Sequence, residues 1–203
     1  MSHPSLLRRL ALSGALAAVL FASFLLIRAV AAFAATGLDV PDHARFERFL
    51  DKSDHRAEFT AFEAHLRKEG VAGVVPAWTL WRQGTDWRGL DEPAFAVPPR
   101  SQWSGIVPTL KLLREHVLPA VGPVEVVSGF RTERYNARAG GAAGSRHKWF
   151  EALDVVPERA WPRAELHETL LGVWRRRGPQ TGFGLGLYGR TRFHVDTHRH
   201  RRW

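Results

Sequence analysis

The most constraining feature of the sequence is a run of 18 uncharged, mostly apolar residues at positions 10–27. Arg8 and Arg9 precede this run, and Arg28 follows it, before an alanine-rich stretch at residues 29–35. A positively charged start, an apolar stretch and small residues behind it are typical of a secretory signal peptide. A run of this length is also about the shortest that spans a bilayer as a helix, so an uncleaved membrane anchor is the alternative.

Both interpretations set residues 1–34 apart from the rest of the chain. A signal peptide would be cleaved after Ala34, whereas an anchor would keep the protein on the inner membrane. In either case residues 35–203 are predicted to lie in the periplasm or the cell envelope, outside the cytoplasm. We expect this remainder to fold as one ordinary domain with a short helical addition.

The composition excludes several classes of site. The chain has no cysteine, which rules out disulfide scaffolds, cysteine-ligated zinc fingers, iron–sulfur clusters and thiol nucleophiles, and leaves ten histidines as the soft metal ligands. The formal charge of +9 overstates the charge of the domain, because three of the 29 basic residues lie in the acid-free N-terminal segment. A modestly basic domain suits a polyanion such as nucleic acid, anionic lipid or a bacterial wall polymer, and charge does not choose among them.

The hydrophobic pattern predicts an α+β fold, with a small antiparallel sheet flanked by helices. Apolar residues at helical spacing predict one or two helices at residues 42–68, a helix from Ser101 to Pro119, and helices at 132–138 and 161–177. Short β-branched or alternating runs predict strands at residues 124–127, 152–156, 181–187 and 192–196. Residues 71–100, rich in proline and tryptophan, are expected to form an irregular but packed loop. This organisation suggests a helical preface at residues 35–74, followed by the α+β domain at residues 75–203.

His147, Asp154 and His194 are a candidate metal-ligand set. His147 follows a glycine-rich loop at residues 140–144, Asp154 lies in the next predicted strand, and His194 lies in the last one. Two neutral imidazoles and a carboxylate are a common ligand set for catalytic zinc, which lowers the pKa of bound water towards about 7. The spacing alone leaves a second interpretation open, in which these are surface histidines that pair with an acid by chance.

Several motifs near the end of the chain carry a more specific signal. They are Ser128-Gly129-Phe130-Arg131, Tyr135-Asn136, Ser145-x-His147 with Ala152-x-Asp154, Phe193-His194-Val195-Asp196-Thr197 and the terminal Arg202-Trp203. In order and spacing they resemble the zinc D-alanyl-D-alanine peptidases, the peptidase M15 group, which shares a fold with the hedgehog signalling domain. The resemblance covers roughly residues 75–203 and implies an α+β domain, one zinc ion per chain, and hydrolysis of peptide bonds in peptidoglycan stems.

The resemblance also implies roles for individual residues. The zinc ligands of the family fall on His147, Asp154 and His194. Arg131 falls on the family's arginine that polarises the scissile carbonyl and stabilises the developing oxyanion, a role that a rigid guanidinium suits. The alternative is that Arg131 forms a structural salt bridge beside the end of a strand. Ser145 is expected to hydrogen-bond near the metal or the substrate, or else to cap local backbone.

Glycine usage gives two further expectations. The family often has glycine three residues after the first zinc histidine, where this chain has Phe150, which is expected to change the backbone freedom of the loop and to narrow the substrate groove. The pattern Gly182-x-Gly184-x-Gly186 looks like a phosphate-binding loop, but it lacks the lysine, the helix and the βαβ setting that such loops need.

The general base is the main departure from the family. Many members carry an acid three residues before the second zinc histidine, where this chain has Thr191 between Arg190 and Arg192. The nearest carboxylate is Asp196, which strand alternation places on the same face as His194. Asp196 is therefore predicted either to accept a proton from the attacking water or to orient His194, and loss of activity is a third interpretation.

The leading hypothesis is a monomeric zinc peptidase of the cell envelope that acts on peptidoglycan, as a DD-carboxypeptidase or as a DD-endopeptidase. The alternative is a non-catalytic peptidoglycan-binding module that retains the zinc fold. A nucleic-acid-binding protein is suggested only by the positive charge, and the export segment argues against it, so no nucleic-acid partner is expected.

Overall fold

Two amphipathic helices come first in the described part of the chain. Asp42 begins α1 (His43–Leu50), because its carboxylate accepts a hydrogen bond at 2.7 Å from a backbone N–H of the first turn. The second helix is α2 (His55–Lys68). Each helix buries an aromatic ring completely, Phe46 in α1 and Phe62 in α2. The three- and four-residue spacing of apolar residues thus produces two helices that face one core.

The computed structural model describes residues 38–203. The signal peptide or anchor predicted at residues 1–34 lies outside the described residues. Within residues 38–203, none of the helices has both the length and the apolar character needed to cross a bilayer.

A five-stranded sheet forms the centre of the described structure. Its strands are β1 (Val124–Ser128), β2 (Ala152–Pro157), β3 (Gly184–Leu187), β4 (Phe193–Asp196) and β5 (Arg201–Arg202). They lie in the order β1-β2-β4-β3-β5, and every neighbouring pair is antiparallel except β3 and β5. The α+β fold class is therefore confirmed, with a mostly antiparallel sheet. The sequence pattern misses β5, because a two-residue strand has no periodicity to detect.

Within residues 38–203, four further α-helices accompany the sheet: α3 (Ile106–Leu112), α4 (Leu118–Val121), α5 (Glu133–Arg138) and α6 (Arg163–Thr181). The helix predicted to end at Pro119 in fact continues through Val121, so that boundary is wrong. Proline has no N–H to donate, and its ring crowds the carbonyl four residues earlier. A π-helical turn at Leu113–Val117 widens the backbone just before Pro119, which lets the helical path continue.

The loop at residues 71–100 is irregular and packed, as expected. A short 3₁₀ helix ends at Trp81, which is fully buried. The next side chain, Arg82, is also buried and pairs with Glu125 of β1, while it donates to the Val126 carbonyl oxygen at 2.5 Å. A buried guanidinium needs such partners, because an unpaired charge in the interior is costly. The loop is thereby attached to the edge of the sheet.

Phe150 has a left-handed backbone conformation, with φ 54° and ψ 43°. This conformation explains why glycine suits the position, since a Cβ atom is strained there. The Phe150 ring is completely buried and lies 5.7 Å from the ring of Phe62 in α2 and 6.0 Å from that of Phe130. The expectation that Phe150 narrows the substrate groove is therefore wrong, because the ring packs into the core instead.

The strain and the burial at Phe150 can be measured separately. We predict that Phe150→Ala and Phe150→Gly both lower the free energy of unfolding, because truncating a buried Phe costs about 3–5 kcal/mol. The Gly variant should be the more stable of the two by about 1 kcal/mol, since glycine has no strain at positive φ. Urea denaturation of both zinc-saturated variants measures the difference. An Ala variant as stable as the Gly variant would contradict the left-handed strain.

Candidate metal centre

Three elements bring the predicted ligands together. His147 lies in a 3₁₀ turn (Arg146–Trp149), Asp154 lies in the middle of β2, and His194 lies in β4. Asp154 and His194 are direct cross-strand partners, so the register of β2 on β4 sets their spacing. The turn then places the His147 ring over the same point, with ring centroids of the two histidines 5.0 Å apart.

One atom of each ligand points to a common centre. His147 Nε2 lies 3.3 Å from Asp154 Oδ1 and 3.2 Å from His194 Nδ1, and that Nδ1 lies 3.0 Å from the same carboxylate oxygen. All three residues are at most 4 % exposed. Ligands about 2 Å from a tetrahedral metal lie about 3.3 Å from one another. The three donor atoms are therefore spaced as the ligands of a single zinc ion would be.

In each histidine ring, the nitrogen that points away from the centre forms a hydrogen bond. This bond fixes the tautomer, and therefore whether the other nitrogen faces the centre with a lone pair. His147 Nδ1 lies 2.7 Å from the Gly129 carbonyl oxygen, which only accepts, so Nδ1 carries the proton. His194 Nε2 lies 2.9 Å from the Asp196 carboxylate and donates to it for the same reason. In the neutral rings, the two facing nitrogens then both carry lone pairs. A cation between them relieves this repulsion, which is the chemical reason that the site fits a metal.

Without a metal, His147 and Asp154 already have the charges that ligands need, whereas His194 favours a proton that a bound metal would displace. Burial, together with the nearby Arg131 guanidinium, lowers the pKa of His147 to about 4, which keeps that imidazole neutral as a ligand must be. Burial alone would raise the pKa of Asp154, yet the adjacent His147 and Arg131 hold it well below its usual range. Burial opposes a charge on His194 too, but its hydrogen bonds to Asp154 and Asp196 raise its pKa overall. The centre thus combines an ionised carboxylate with a preference for positive charge.

Arg131 is held against the metal centre by three hydrogen bonds. Its Nε donates to the Gln83 carbonyl oxygen at 3.0 Å and to Ser128 Oγ at 2.8 Å, and its Nη2 donates to Asp154 Oδ2 at 2.7 Å. The salt bridge considered from the sequence is therefore present, and its partner is the carboxylate ligand itself. Within residues 38–203, Nη1 has no hydrogen bond. This nitrogen therefore remains open to a further hydrogen-bond acceptor.

Asp196 contacts the side of the His194 ring that points away from the metal centre. Besides the His194 bond, its two oxygens accept hydrogen bonds from the backbone N–H of His198 at 2.9 Å and from both terminal nitrogens of Arg201, the shorter at 2.8 Å. The Asp196 side chain is completely buried. Both oxygens are occupied by these bonds, so neither is open towards the metal centre. Of the two predicted roles, the contacts therefore favour orienting His194 over accepting a proton from the attacking water.

The three ligands lie in the wall of an open cleft of about 720 Å³, called the metal cleft below. Ser145 lines the cleft and forms no capping hydrogen bond with the turn that follows it. The side chains that line the cleft without having been assigned from the sequence include Asp86, Tyr135, Tyr188 and Trp203. Tyr135 and Trp203 belong to the recognised motifs, whereas Asp86 lies in a loop without any periodic pattern.

The comparisons with known proteins agree with this geometry. The family model described as Peptidase M15 matches residues 71–196, which include all three ligands and Arg131. No curated protein and no solved structure matches the chain.

Removal of one ligand should remove the metal. We predict one zinc ion per chain in the wild-type protein and close to none in His147→Ala, because two remaining ligands do not hold zinc in a site built for three. Metal analysis after dialysis measures the content. His43→Ala is the matched control, since His43 is an exposed histidine of α1. Wild-type zinc content in His147→Ala would show that the ligand set is wrong.

Asp196 offers a second measurement at the same centre. Asp196→Asn keeps the size of the side chain but weakens its bonds to His194 and Arg201, so His194 is held less firmly. We predict a loss of zinc affinity of about 10- to 100-fold, as is typical when a partner of a metal-bound histidine is changed. Competition with a zinc chelator measures the affinity. An unchanged affinity, with turnover lost at saturating zinc, would contradict the orienting role.

Proposed function

The chain belongs to the peptidase M15 family and is a zinc-dependent peptidase, and we propose that it hydrolyses peptide bonds in the stem peptides of peptidoglycan. The observation that carries the proposal is the placement of Arg131 beside a two-histidine, one-aspartate metal centre in an open, basic cleft. The proposed reaction is that of a DD-carboxypeptidase or a DD-endopeptidase. The first removes the terminal residue of a stem peptide, and the second cleaves the bond that cross-links two stems.

The residues of the cleft divide the work of peptide hydrolysis. Zinc, when bound by His147, Asp154 and His194, lowers the pKa of water and polarises a carbonyl group. Arg131 is fixed by its bonds to Gln83, Ser128 and Asp154, so its remaining Nη1 can donate to the scissile carbonyl oxygen without reorganisation. A donor held in place in this way stabilises the negative charge that develops on that oxygen in the transition state.

The charge of the metal cleft supports an acidic peptide as substrate. Arg131, Arg192, Arg199 and Arg201 line it. Arg192 lies over the Tyr188 ring, with 4.7 Å between the guanidinium carbon and the ring centroid. Stem peptides carry free carboxylates, which such guanidinium groups bind well.

The proposed location is the periplasm or the cell envelope. The support for it is the apolar segment at residues 10–27 with its flanking arginines. If that segment is not cleaved, the inner membrane is a second partner, and the peptidase then acts on peptidoglycan within reach of its anchor. A monomer needs no other subunit for the metal centre, since all three ligands come from one chain.

A non-catalytic peptidoglycan-binding module is the second candidate. The observation that favours it is Thr191, which stands where many family members carry an acid. Such a module would bind the wall through the same basic cleft without cleaving it. The two candidates differ in one measurable product, because only the peptidase releases D-alanine or separates cross-linked stems.

Digestion of purified peptidoglycan tests the proposal. We predict that the full-length protein with zinc releases D-alanine or opens cross-links, as mass analysis of the products shows, and that chelator treatment stops it. Arg131→Ala should lower turnover by about 100-fold or more, because one oxyanion donor is lost. The zinc content of the variant is measured alongside, since Arg131 also bonds to Asp154. Wall binding without any product would favour the module, and a fully active Arg131→Ala would contradict the role of Arg131.

A further inference from the structure

The metal cleft contains few carboxylates that could move a proton. Peptide hydrolysis needs a group that takes a proton from the attacking water and gives one to the leaving nitrogen. The residues directly before His194 supply none, since positions 190–193 hold two arginines, a threonine and a phenylalanine. Among the described residues that line the cleft, Asp86 and Asp154 are the two acids.

Asp154 is already engaged on both oxygens. Its Oδ1 faces the two histidine ligands, and its Oδ2 accepts from Arg131. Asp196, the acid nearest in sequence to His194, is enclosed by hydrogen bonds and does not line the cleft. Neither carboxylate is available to exchange protons with a substrate. This elimination leaves Asp86.

Asp86 is exposed in the wall of the cleft. No other residue in the range 38–203 forms an ion pair or a hydrogen bond with its carboxylate. Both oxygens of this carboxylate are therefore open to a substrate or a water molecule, in contrast to those of Asp154. The loop that carries it had no pattern for sequence reasoning to detect, so nothing in the motifs pointed to this residue.

The loop before Asp86 is bonded directly to the catalytic arginine. The Gln83 carbonyl oxygen accepts from Arg131 Nε at 3.0 Å and from Ser128 Oγ at 2.7 Å. The Gln83 side-chain oxygen accepts from Thr132 Oγ1 at 2.8 Å and from its backbone N–H at 3.0 Å. Three residues span at most about 10 Å of chain, so these bonds restrict where Asp86 can lie relative to Arg131.

From this geometry we propose that Asp86 is the catalytic carboxylate of the peptidase, which rests on the proposed function above. Its carboxylate accepts a proton from the attacking water as the new carbon–oxygen bond forms. It then donates that proton to the amine nitrogen as the carbon–nitrogen bond breaks, so the residue ends the cycle ionised, as it began. Arg131 meanwhile holds the charge on the carbonyl oxygen.

The electrostatics of Tyr135 agree with this placement. Burial and the Asp86 carboxylate raise the pKa of Tyr135 to about 12, because a nearby negative charge opposes ionisation of the phenol. Tyr135 is fully buried and keeps its proton at neutral pH. Gly84 lies close to the Tyr135 hydroxyl, and a Cβ atom there would meet it at 2.6 Å. The loop and the cleft wall are thus in close contact.

The test uses the full-length zinc-loaded protein, with a stem pentapeptide and a cross-linked muropeptide dimer as substrates. We predict that Asp86→Asn lowers kcat by about 100-fold or more, with KM and zinc content close to wild type, because the variant cannot hold the proton. Asp86→Glu should recover part of the activity. Formate added to Asp86→Ala should raise its rate, since it supplies a carboxylate in the space left, which no structural role would produce.

The matched control is Asp91→Asn. Asp91 is an exposed acid of the same loop that does not line the cleft, and its positive φ of 51° suits asparagine. If Asp86→Asn is as active as the Asp91→Asn control, the assignment of Asp86 is wrong. The assignment is also wrong if Asp86→Asn loses activity only because it loses zinc. If the wild-type protein cleaves neither substrate, the proposed function fails, and the assignment of Asp86 fails with it.

Discussion

Three buried electron-pair donors that face one another are the constraint on which the rest of this structure depends. They lie 3.0–3.3 Å apart, so a shared metal ion or a proton must lie between their lone pairs in this buried site. Each donor therefore has an outer partner that fixes its orientation, which is the Gly129 carbonyl, Arg131 or Asp196. The partners are bonded in turn, Arg131 to the loop at residue 83 and Asp196 to the chain after β4. The fold supports the metal centre through these successive layers of contacts.

Glycines on β3 make room for these layers. Gly184 lies opposite Asp196, and Gly186 lies opposite His194. A Cβ atom at Gly184 would meet the Asp196 carboxylate at 2.5 Å, and one at Gly186 would meet the Trp203 indole at 2.8 Å. The space above Gly186 lets Trp203 pack 5.0 Å from the His194 ring, centroid to centroid. The glycine pattern that looks like a phosphate loop in sequence is therefore a packing requirement of the metal centre.

The helical preface takes part in the same support. The family match begins at residue 71, after α2. Yet Phe62 of α2 packs against Phe150, which comes three residues after the ligand His147. Burial of the Phe150 ring offsets the strain of its left-handed backbone, so the turn that presents His147 depends on a contact outside the matched region. In this chain the preface and the matched region share one hydrophobic core.

The sequence by itself determined the ligand types and most of the elements. His147, Asp154 and His194 stand in a recognisable order, and the periodicity of helices and of the longer strands is a local property. Only the tertiary structure decided which atoms meet. It placed Asp196 against the outer nitrogen of His194, and it brought the irregular loop of Asp86 into the metal cleft. The reason is that contacts between distant segments depend on packing and register, which leave no local pattern in the chain.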